Sequence, residues 1–245
     1  MIRKTARHDW MGRNLAFATL IPPVLLFFSI GVQAQSTSHW PEDKPLASAT
    51  ISCGSQSPAK SGVIKSPSAN NASVEMQATV TQTSKGKHCE TTWLLHVGGP
   101  QRSPKTIEVD SRADESADND YGYENSFELI GWSQDGMLLL GSTVIAAGDF
   151  DETSPVVYDY SKDKWWKVSL TPLFQKLTAA NCLLLFRPTG FTTDGKVLVF
   201  VGDPATDYGN KPCIAAGRWV LDYEKKTITK FNASSKASES KNVRH

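Results

Sequence analysis

Residues 131–142, GWSQDGMLLLGS, place a polar Asp-Gly turn directly before a run of apolar residues. An Asp-Gly pair between strand-forming segments is a strong local signal for a β-hairpin. The same order returns at residues 190–201, where GFTTDG is followed by KVLVFV. The sequence therefore predicts a hairpin unit that repeats along the chain.

Each copy of this unit continues with an acidic loop, a third strand, a tight turn and a short fourth strand. In one copy the last two strands are VVYDY and WWKVSL, and in the other they are CIAAGRWVLDY and TITKF. A weaker copy lies upstream, where ASVEMQATVTQ, CETTWLLHV and KTIEVDS supply three of the strands. We therefore expect an all-β domain over residues 51–232 that contains three four-stranded antiparallel sheets.

The repeated unit resembles a blade of a β-propeller of the TolB-like or WD-repeat kind. The resemblance rests on the turns at 133–136 and 193–195, and on the Tyr-Asp and Leu-Asp steps at 158–159 and 221–222. It covers about residues 50–232 and implies three blade-like sheets. Closed propellers typically have four to eight blades, so three units imply a partial or open β-propeller-like array.

The apolar patterns of the strands indicate how much of each sheet is covered. MLLLG and VLVFV are apolar at every position, which predicts strands that are buried on both faces. In contrast, SVEMQATV alternates, so one face of the first sheet should meet water. The apolar positions of that strand are Val74, Met76, Ala78 and Val80. An open stack of sheets is favoured; a ring completed by a second copy of the chain and a β-sandwich are the alternatives.

Residues 1–34 have the layout of a secretory signal peptide. An uncharged apolar run at 15–30 follows a basic segment, and Val32 and Ala34 place small residues at the cleavage positions. The basic residues are Arg3, Lys4, Arg7 and Arg13. We expect a secreted or periplasmic protein. An uncleaved membrane anchor is the alternative, although Pro22-Pro23 would interrupt its helix.

The segments outside the predicted strands are a leader, a tail and one short helix. Residues 35–50 are interpreted as a polar leader and residues 233–245 as a disordered polar tail. Thr171 and Pro172 predict the start of one helix of about two turns.

The formal net charge is +1 for the whole chain, and the signal carries an excess of basic residues. The mature chain therefore lacks the basic footprint of a nucleic-acid-binding protein and the polybasic patch of a membrane-surface protein.

All four cysteines lie in the exported part of the chain, where an even number predicts disulfides. Cys53 precedes the first strand of the first unit, and Cys89 begins its third strand. Cys182 and Cys213 hold the equivalent positions in the last unit. The first and third strands of a meander start at the same end, which favours the pairs Cys53–Cys89 and Cys182–Cys213. Buried free thiols are the alternative.

Catalytic signatures are absent from the sequence. G-x-S-x-G, H-E-x-x-H, the P-loop and G-x-G-x-x-G before a helix do not occur. Only His88 and His96 lie within the predicted domain, and we expect His96 to be a hydrogen-bonded residue of a sheet. We therefore predict no catalytic residue, and a binding protein is favoured over an enzyme.

Acidic loops and aromatic residues supply the candidate ligand-binding positions. They are Asp149, Asp151, Glu152, Asp203, Asp207 and Trp166. Clustered carboxylates suit Ca²⁺ or, as a pair, glycoside hydrolysis; solvated loops that keep the protein soluble are the alternative. Trp165 and Trp166 are adjacent on a strand, so one should face the core and the other should be exposed.

These observations predict an exported, non-enzymatic binding or scaffold module. Its surface would consist of the rim loops 111–126, 148–155 and 202–212, and its ligand would be a protein or a carbohydrate. The alternative is a hydrolase that acts on a carbohydrate or ester through the acidic loop residues.

Overall fold

The computed structural model describes residues 44–53, 60–67, 72–82, 89–99, 102–114, 124–147, 150–178, 182–203, 213–214 and 216–232. Within these ranges the chain forms thirteen strands and one short helix, so the predicted all-β class is confirmed. The predicted signal peptide, most of the predicted leader and the predicted tail lie outside the described residues.

The elements follow one another in an order that matches the repeated units. In chain order they are β1 (Ala47–Ile51), β2 (Ile64–Lys65), β3 (Ser73–Gln82), β4 (Cys89–Gly99), β5 (Arg102–Asp114), β6 (Glu124–Trp132), β7 (Leu138–Ala147), β8 (Phe150–Asp159), β9 (Lys164–Lys167), α1 (Thr171–Gln175), β10 (Leu185–Phe191), β11 (Val197–Gly202), β12 (Gly217–Asp222) and β13 (Thr227–Lys230). The helix begins at Thr171, which was predicted to be its N-cap; the N-cap is Leu170 instead, and the helix is shorter than the predicted two turns.

The strands form three antiparallel sheets. Sheet I has the order β2-β3-β4-β5, sheet II the order β1-β6-β7-β8-β9, and sheet III the order β10-β11-β12-β13. Apart from β1, each sheet is a meander of consecutive strands, as the repeat predicts. The described sheets are open, and none of them closes into a barrel.

Strand β1 gives sheet II a fifth strand that the sequence pattern did not predict. Ala49 pairs with Phe127 and Ile51 pairs with Asn125, so the domain begins within the segment interpreted as a polar leader. In ASATI the core-facing positions are Ala47, Ala49 and Ile51, and the alternating Ser and Thr face outward. Two of the three core-facing side chains are single methyl groups, which explains why the segment resembles a polar linker.

Sheets I and II enclose one hydrophobic core. Trp93 of sheet I is fully buried, and its ring centroid lies 5.8 Å from that of Phe127 in sheet II. The alternating strand β3 directs Val74 and Met76 into this core. Its polar residues lie on the opposite, partly exposed face of sheet I, as the alternation predicts.

Sheets II and III enclose a second core on the other face of sheet II. Leu140 and Val157 of sheet II belong to the same buried cluster as Val199 of sheet III. Helix α1 closes one side of this core, because the ring of Phe174 lies 5.3 Å from the ring of Trp219. Adjacent residues of β7 therefore serve different cores, Leu139 the first and Leu140 the second. The predicted burial of this strand on both faces is confirmed.

A buried polar network joins sheets I and II. Asn125 of β6 is 1% exposed, and its Nδ2 donates to Asp110 Oδ2 at 3.2 Å and to Thr91 Oγ1 at 3.3 Å. Trp93 Nε1 donates to Asn125 Oδ1 at 3.1 Å, and the ammonium of Lys167 pairs with Asp110. A buried polar network costs little free energy of folding when every group in it has a partner. It costs much more when one partner is removed.

Two disulfides connect the predicted cysteine pairs. The Cα atoms of Cys53 and Cys89 are 5.7 Å apart, and those of Cys182 and Cys213 are 5.9 Å apart. The predicted pairing is thus confirmed, and it fits an oxidising compartment. Each bridge joins chain segments more than 30 residues apart and should stabilise the fold by roughly 3–4 kcal/mol.

The substitution Asn125→Ala should destabilise the protein by about 1–3 kcal/mol, the usual cost of removing a partner from a buried hydrogen-bond network. It removes the side-chain acceptor of the Trp93 indole N–H and a donor to Asp110. The indole then keeps only the backbone carbonyl of residue 125, at 3.3 Å, and Asp110 keeps only its ion pairs. The measurement is urea unfolding with both disulfides intact. The control Thr79→Ala lies on the partly exposed face of sheet I and should cost less than about 0.5 kcal/mol. Equal losses for the two variants would show that the network does not hold the sheets together.

Candidate functional site

The predicted rim residues have different environments where the structure describes them. Asp149 and Asp207 lie outside the described residues. Asp151 is exposed on β8, and Glu152 lies 3.8 Å from the guanidinium of Arg112. Asp203 is only 4% exposed, and its Oδ2 accepts the backbone N–H groups of Cys213 at 2.5 Å and Ile214 at 3.3 Å. Asp203 therefore has a structural role, because it joins the end of β11 to residues 213–214.

A second candidate site lies at the opposite end of sheets II and III from Glu152 and Asp203. A groove of about 770 Å³ opens between sheets II and III and is lined by four turns. The β6–β7 and β8–β9 turns contribute from sheet II, and the β10–β11 and β12–β13 turns from sheet III. Since β7 and β11 run away from this end, the described residues Asp151 and Asp203 of the predicted rim lie at the other end of the sheets.

The β6–β7 turn is fixed by hydrogen bonds that its sequence dictates. Ser133 Oγ donates to Asp135 Oδ1 at 2.5 Å, and Asp135 Oδ1 also accepts the backbone N–H of Met137 at 3.1 Å. The backbone N–H of Leu138 donates to Ser133 Oγ at 2.9 Å. Gly136 has a φ of 70°, a conformation that glycine adopts without strain.

The β10–β11 turn reproduces the same design with threonine in place of serine. Thr192 Oγ1 donates to Asp194 Oδ1 at 2.5 Å and accepts the backbone N–H of Lys196 at 3.0 Å. Gly195 has a φ of 77°, and a Cβ at this position would lie 3.2 Å from Leu138 Cδ1. The two turns are therefore structural equivalents, and they meet at the floor of the groove.

The β8–β9 turn adds a carboxylate and an ammonium group. Asp159 Oδ1 accepts the backbone N–H groups of Ser161 at 2.9 Å and Lys162 at 3.0 Å, together with the Ser161 hydroxyl at 2.6 Å. Lys162 Nζ lies 3.2 Å from Asp159 Oδ2 and 3.2 Å from Glu224 Oε1. Lys162 thus links sheet II to the β12–β13 turn of sheet III across the groove.

These contacts favour the ionised form of three carboxylates of the groove. The Ser133 hydroxyl and the Met137 N–H lower the pKa of Asp135, and the Thr192 hydroxyl lowers the pKa of Asp194. Burial alone would raise the pKa of Asp159, but its hydrogen bonds from Ser161 and Lys162 outweigh burial and lower it. Hydrogen bonds to Glu224 and Asp159 raise the pKa of Lys162. At neutral pH the groove is therefore net negative, because its four carboxylates outnumber the two ammonium groups that pair with them, those of Lys162 and Lys196.

The floor of the groove is apolar. Leu138 and Phe191 line it together with Tyr223, whose pKa is raised mainly by burial. Trp166, a predicted ligand-binding residue, lies behind Tyr223, with the ring centroids 5.0 Å apart. Trp166 packs against the second core while Trp165 is 36% exposed. The predicted opposite facing of these two tryptophans is confirmed, and Trp166 supports the groove wall from within.

Sequence reasoning did not identify the groove residues as a site. The sequence assigns Asp135 and Asp194 to hairpin turns and Asp159 to a Tyr-Asp step on a strand. The signal that could have found them is their repetition, since YDYSK and LDYEK occupy equivalent positions at 158–162 and 221–225. Equivalent turns of neighbouring sheets lie at the same end, so their side chains are brought together.

The remaining predictions concern a histidine, a metal site and a membrane anchor. His96 is hydrogen-bonded as predicted, with Nε2 2.8 Å from Gln77 Oε1 and Nδ1 2.9 Å from Thr106 Oγ1. Among the residues that the structure describes, no three His, Cys, Asp or Glu side chains lie close enough to hold a metal ion. The Ca²⁺ prediction rests largely on loops outside this set. No helix in the described part of the chain has the length and apolar character to cross a membrane.

The substitution Asp159→Asn should weaken the acid dependence of stability. Because the folded-state pKa of Asp159 is lowered, its ionised form stabilises the fold above the ordinary Asp pKa of about 4. That contribution is lost as the pH falls through the folded-state pKa. We expect the wild type to be the more stable protein at pH 7 and the difference to narrow below about pH 4. Urea unfolding at pH 7, 5, 4 and 3 checks this, with Asp151→Asn as the control. A difference that stays constant over this pH range contradicts it.

Comparison of the chain with protein-family models, with curated proteins and with solved structures finds no match. The geometry and charge of the groove are therefore the basis for a functional proposal.

Proposed function

We propose that this chain is an exported, non-enzymatic binding protein, and that the groove between sheets II and III receives a positively charged segment of a protein partner. One observation carries the proposal, namely the carboxylates that four turns place around an open groove with an apolar floor. This surface replaces the predicted rim loops as the preferred ligand site.

The charge distribution of the groove favours a cation. Asp135, Asp194 and Glu224 are exposed on the groove walls. Lys162 is paired with Glu224 and Asp159, and Lys196 is paired with Asp194, so four carboxylates are balanced by two ammonium groups. A basic segment would complement the remaining negative charge and would be attracted over several ångströms.

The shape and floor of the groove fit long basic side chains. Its volume of about 770 Å³ lies within the range of roughly 300–1,000 Å³ that is usual for ligand sites. Lys and Arg carry apolar stems that pack on aromatic and aliphatic surfaces while their charged ends stay near water. Leu138, Phe191 and Tyr223 provide such a surface below the carboxylates.

The protonation states favour binding over hydrolysis. A glycosidase needs one carboxyl group with a raised pKa that can act as a general acid. In this groove the pKa values of Asp135, Asp159 and Asp194 are all lowered, and each carboxylate is held by its own turn. The groove therefore gives the hydrolase alternative no support.

The location outside the cytoplasm is supported by two independent features. Residues 1–34 have the layout of a signal peptide, and both disulfides suit an oxidising compartment. The resemblance to β-propeller blades stays a prediction, and the meander order of the three sheets is what supports it.

Binding should be tested by calorimetric titration with a Lys/Arg-rich peptide of about ten residues. An acidic peptide of the same length and a neutral oligosaccharide are the comparison ligands. We expect saturable binding of the basic peptide only, and weaker binding at high ionic strength because salt screens exposed charges. The triple variant Asp135→Asn, Asp194→Asn, Glu224→Gln should bind about tenfold or more weakly.

The matched control is Asp151→Asn, which removes an exposed carboxylate outside the groove walls and should leave the affinity unchanged. Equal affinity of the triple variant and the wild type would refute the groove as the site. Turnover of chromogenic glycosides or esters that is abolished by Asp135→Asn would instead favour the hydrolase.

A further inference from the structure

The side chain of Lys162 fills a cation-binding position inside the groove. Its Nζ lies 3.2 Å from Asp159 Oδ2 and 3.2 Å from Glu224 Oε1, so one ammonium group stands between carboxylates of two sheets. The same Nζ lies 5.9 Å from the centroid of the Trp166 ring, which is within the range of a cation–π contact. Carboxylates and an aromatic face are the groups that receive an ammonium or a guanidinium group in proteins.

The equivalent turn of sheet III shows that this contact is not needed to build the turn. Lys225 follows Asp222 by three residues, as Lys162 follows Asp159, and in both turns the backbone N–H of the lysine donates to the aspartate. The Nζ of Lys225 lies 3.6 Å from Asp222 Oδ2, its side chain is 77% exposed, and it contacts no second carboxylate among the described residues. The contact of Lys162 with Glu224 is therefore an additional feature of the groove.

The two partners of the Asp159–Lys162 ion pair differ in exposure. The side chain of Asp159 is 5% exposed, whereas that of Lys162 is 58% exposed. Hydrogen bonds from Ser161 and from the backbone N–H of Lys162 hold Asp159 Oδ1, so the carboxylate stays in place when the lysine side chain moves. Its Oδ2 then loses the ammonium group, and a buried carboxylate oxygen without a donor is destabilising. The departure of Lys162 is therefore favoured when another cation takes its place.

We propose that Lys162 is an internal competitor for the ligand of the groove, and that an ammonium or guanidinium group of the ligand replaces it between Asp159 and Glu224. This inference rests on the function proposed for the groove and adds a residue that determines its specificity. A neutral ligand does not replace the lost charge, so the exchange selects for cations. The exchange is feasible because the ion pairs of an exposed lysine are weak.

Calorimetric titration with the Lys/Arg-rich peptide measures this competition. Lys162→Ala should bind the peptide about five- to tenfold more tightly than the wild type, because the site no longer has to release its own ammonium group before the ligand enters. The matched control Lys225→Ala removes the same charge from the equivalent turn, and its affinity should change by less than about twofold. Equal changes for the two variants would overturn the inference, because they would show a general effect of net charge.

A small cation tests the position without the peptide. The compound n-propylammonium has the three carbons and the ammonium group that Lys162→Ala removes, and 1-propanol is its neutral counterpart. In NMR spectra of Lys162→Ala at constant ionic strength, n-propylammonium should shift the Trp166 indole N–H signal saturably in the millimolar range. The shift should be much smaller in the wild type, where Lys162 fills the position, and 1-propanol should not reproduce it. Equal shifts in the variant and the wild type would contradict the proposal.

The wild-type protein provides a readout that does not depend on the folding of a variant. As the peptide is added, the side-chain NMR signals of Lys162 should shift more than those of Lys225, and equal shifts would rule out the exchange. If the peptide binds but Lys162→Ala behaves like Lys225→Ala, the groove function holds and the role of Lys162 is refuted. If n-propylammonium binds Lys162→Ala and the peptide binds neither variant nor wild type, the cation position is supported and the peptide ligand is wrong.

Discussion

Two adjacent leucines of β7 impose the constraint on which the architecture depends. Leu139 and Leu140 are fully buried, yet they point to opposite faces of the same strand and belong to different cores. Sheet II therefore requires a covering layer on each side, and sheets I and III provide these layers. The Asn125 network adds specificity on one side, because it is satisfied only when Asp110 and Trp93 of sheet I are in register with β6.

The groove is a consequence of the same packing. Sheets II and III are in contact through their central strands, and at one end the repeated turns project beyond the shared core. The β6–β7 and β10–β11 turns each combine a hydroxyl, an aspartate and a glycine, so they place a carboxylate with a lowered pKa at equivalent points of neighbouring sheets. Charge that stabilises a local turn thereby accumulates along one edge of the molecule. This coupling explains how an acidic groove arises from turns that form for local reasons.

Much of this fold could be predicted from the sequence because its signals are local. The Asp135-Gly136 turn, the alternation around Met76 and the equivalent positions of the cysteines all follow from short patterns, and the structure agrees with each. Other features depend on which sheets meet. The role of Asn125 could not be predicted, because its partner Trp93 belongs to another sheet. The role of Asp203 could not be predicted either, because its partner, the N–H of Cys213, is ten residues away in the sequence. The groove belongs to this second group, since its acids come from segments that are distant in sequence.

The claim that sheet II is the doubly covered centre of the domain can be measured by native-state hydrogen exchange. Amides of β7 and β8, including those of Leu139, Leu140 and Val157, should be the most protected and should exchange only through global unfolding. Amides of β3 in sheet I and of β13 in sheet III should exchange through smaller, local openings, because these two sheets lie on either side of sheet II. If amides of β7 exchange through local opening while those of sheet I or sheet III remain protected, the placement of sheet II between the two cores is contradicted.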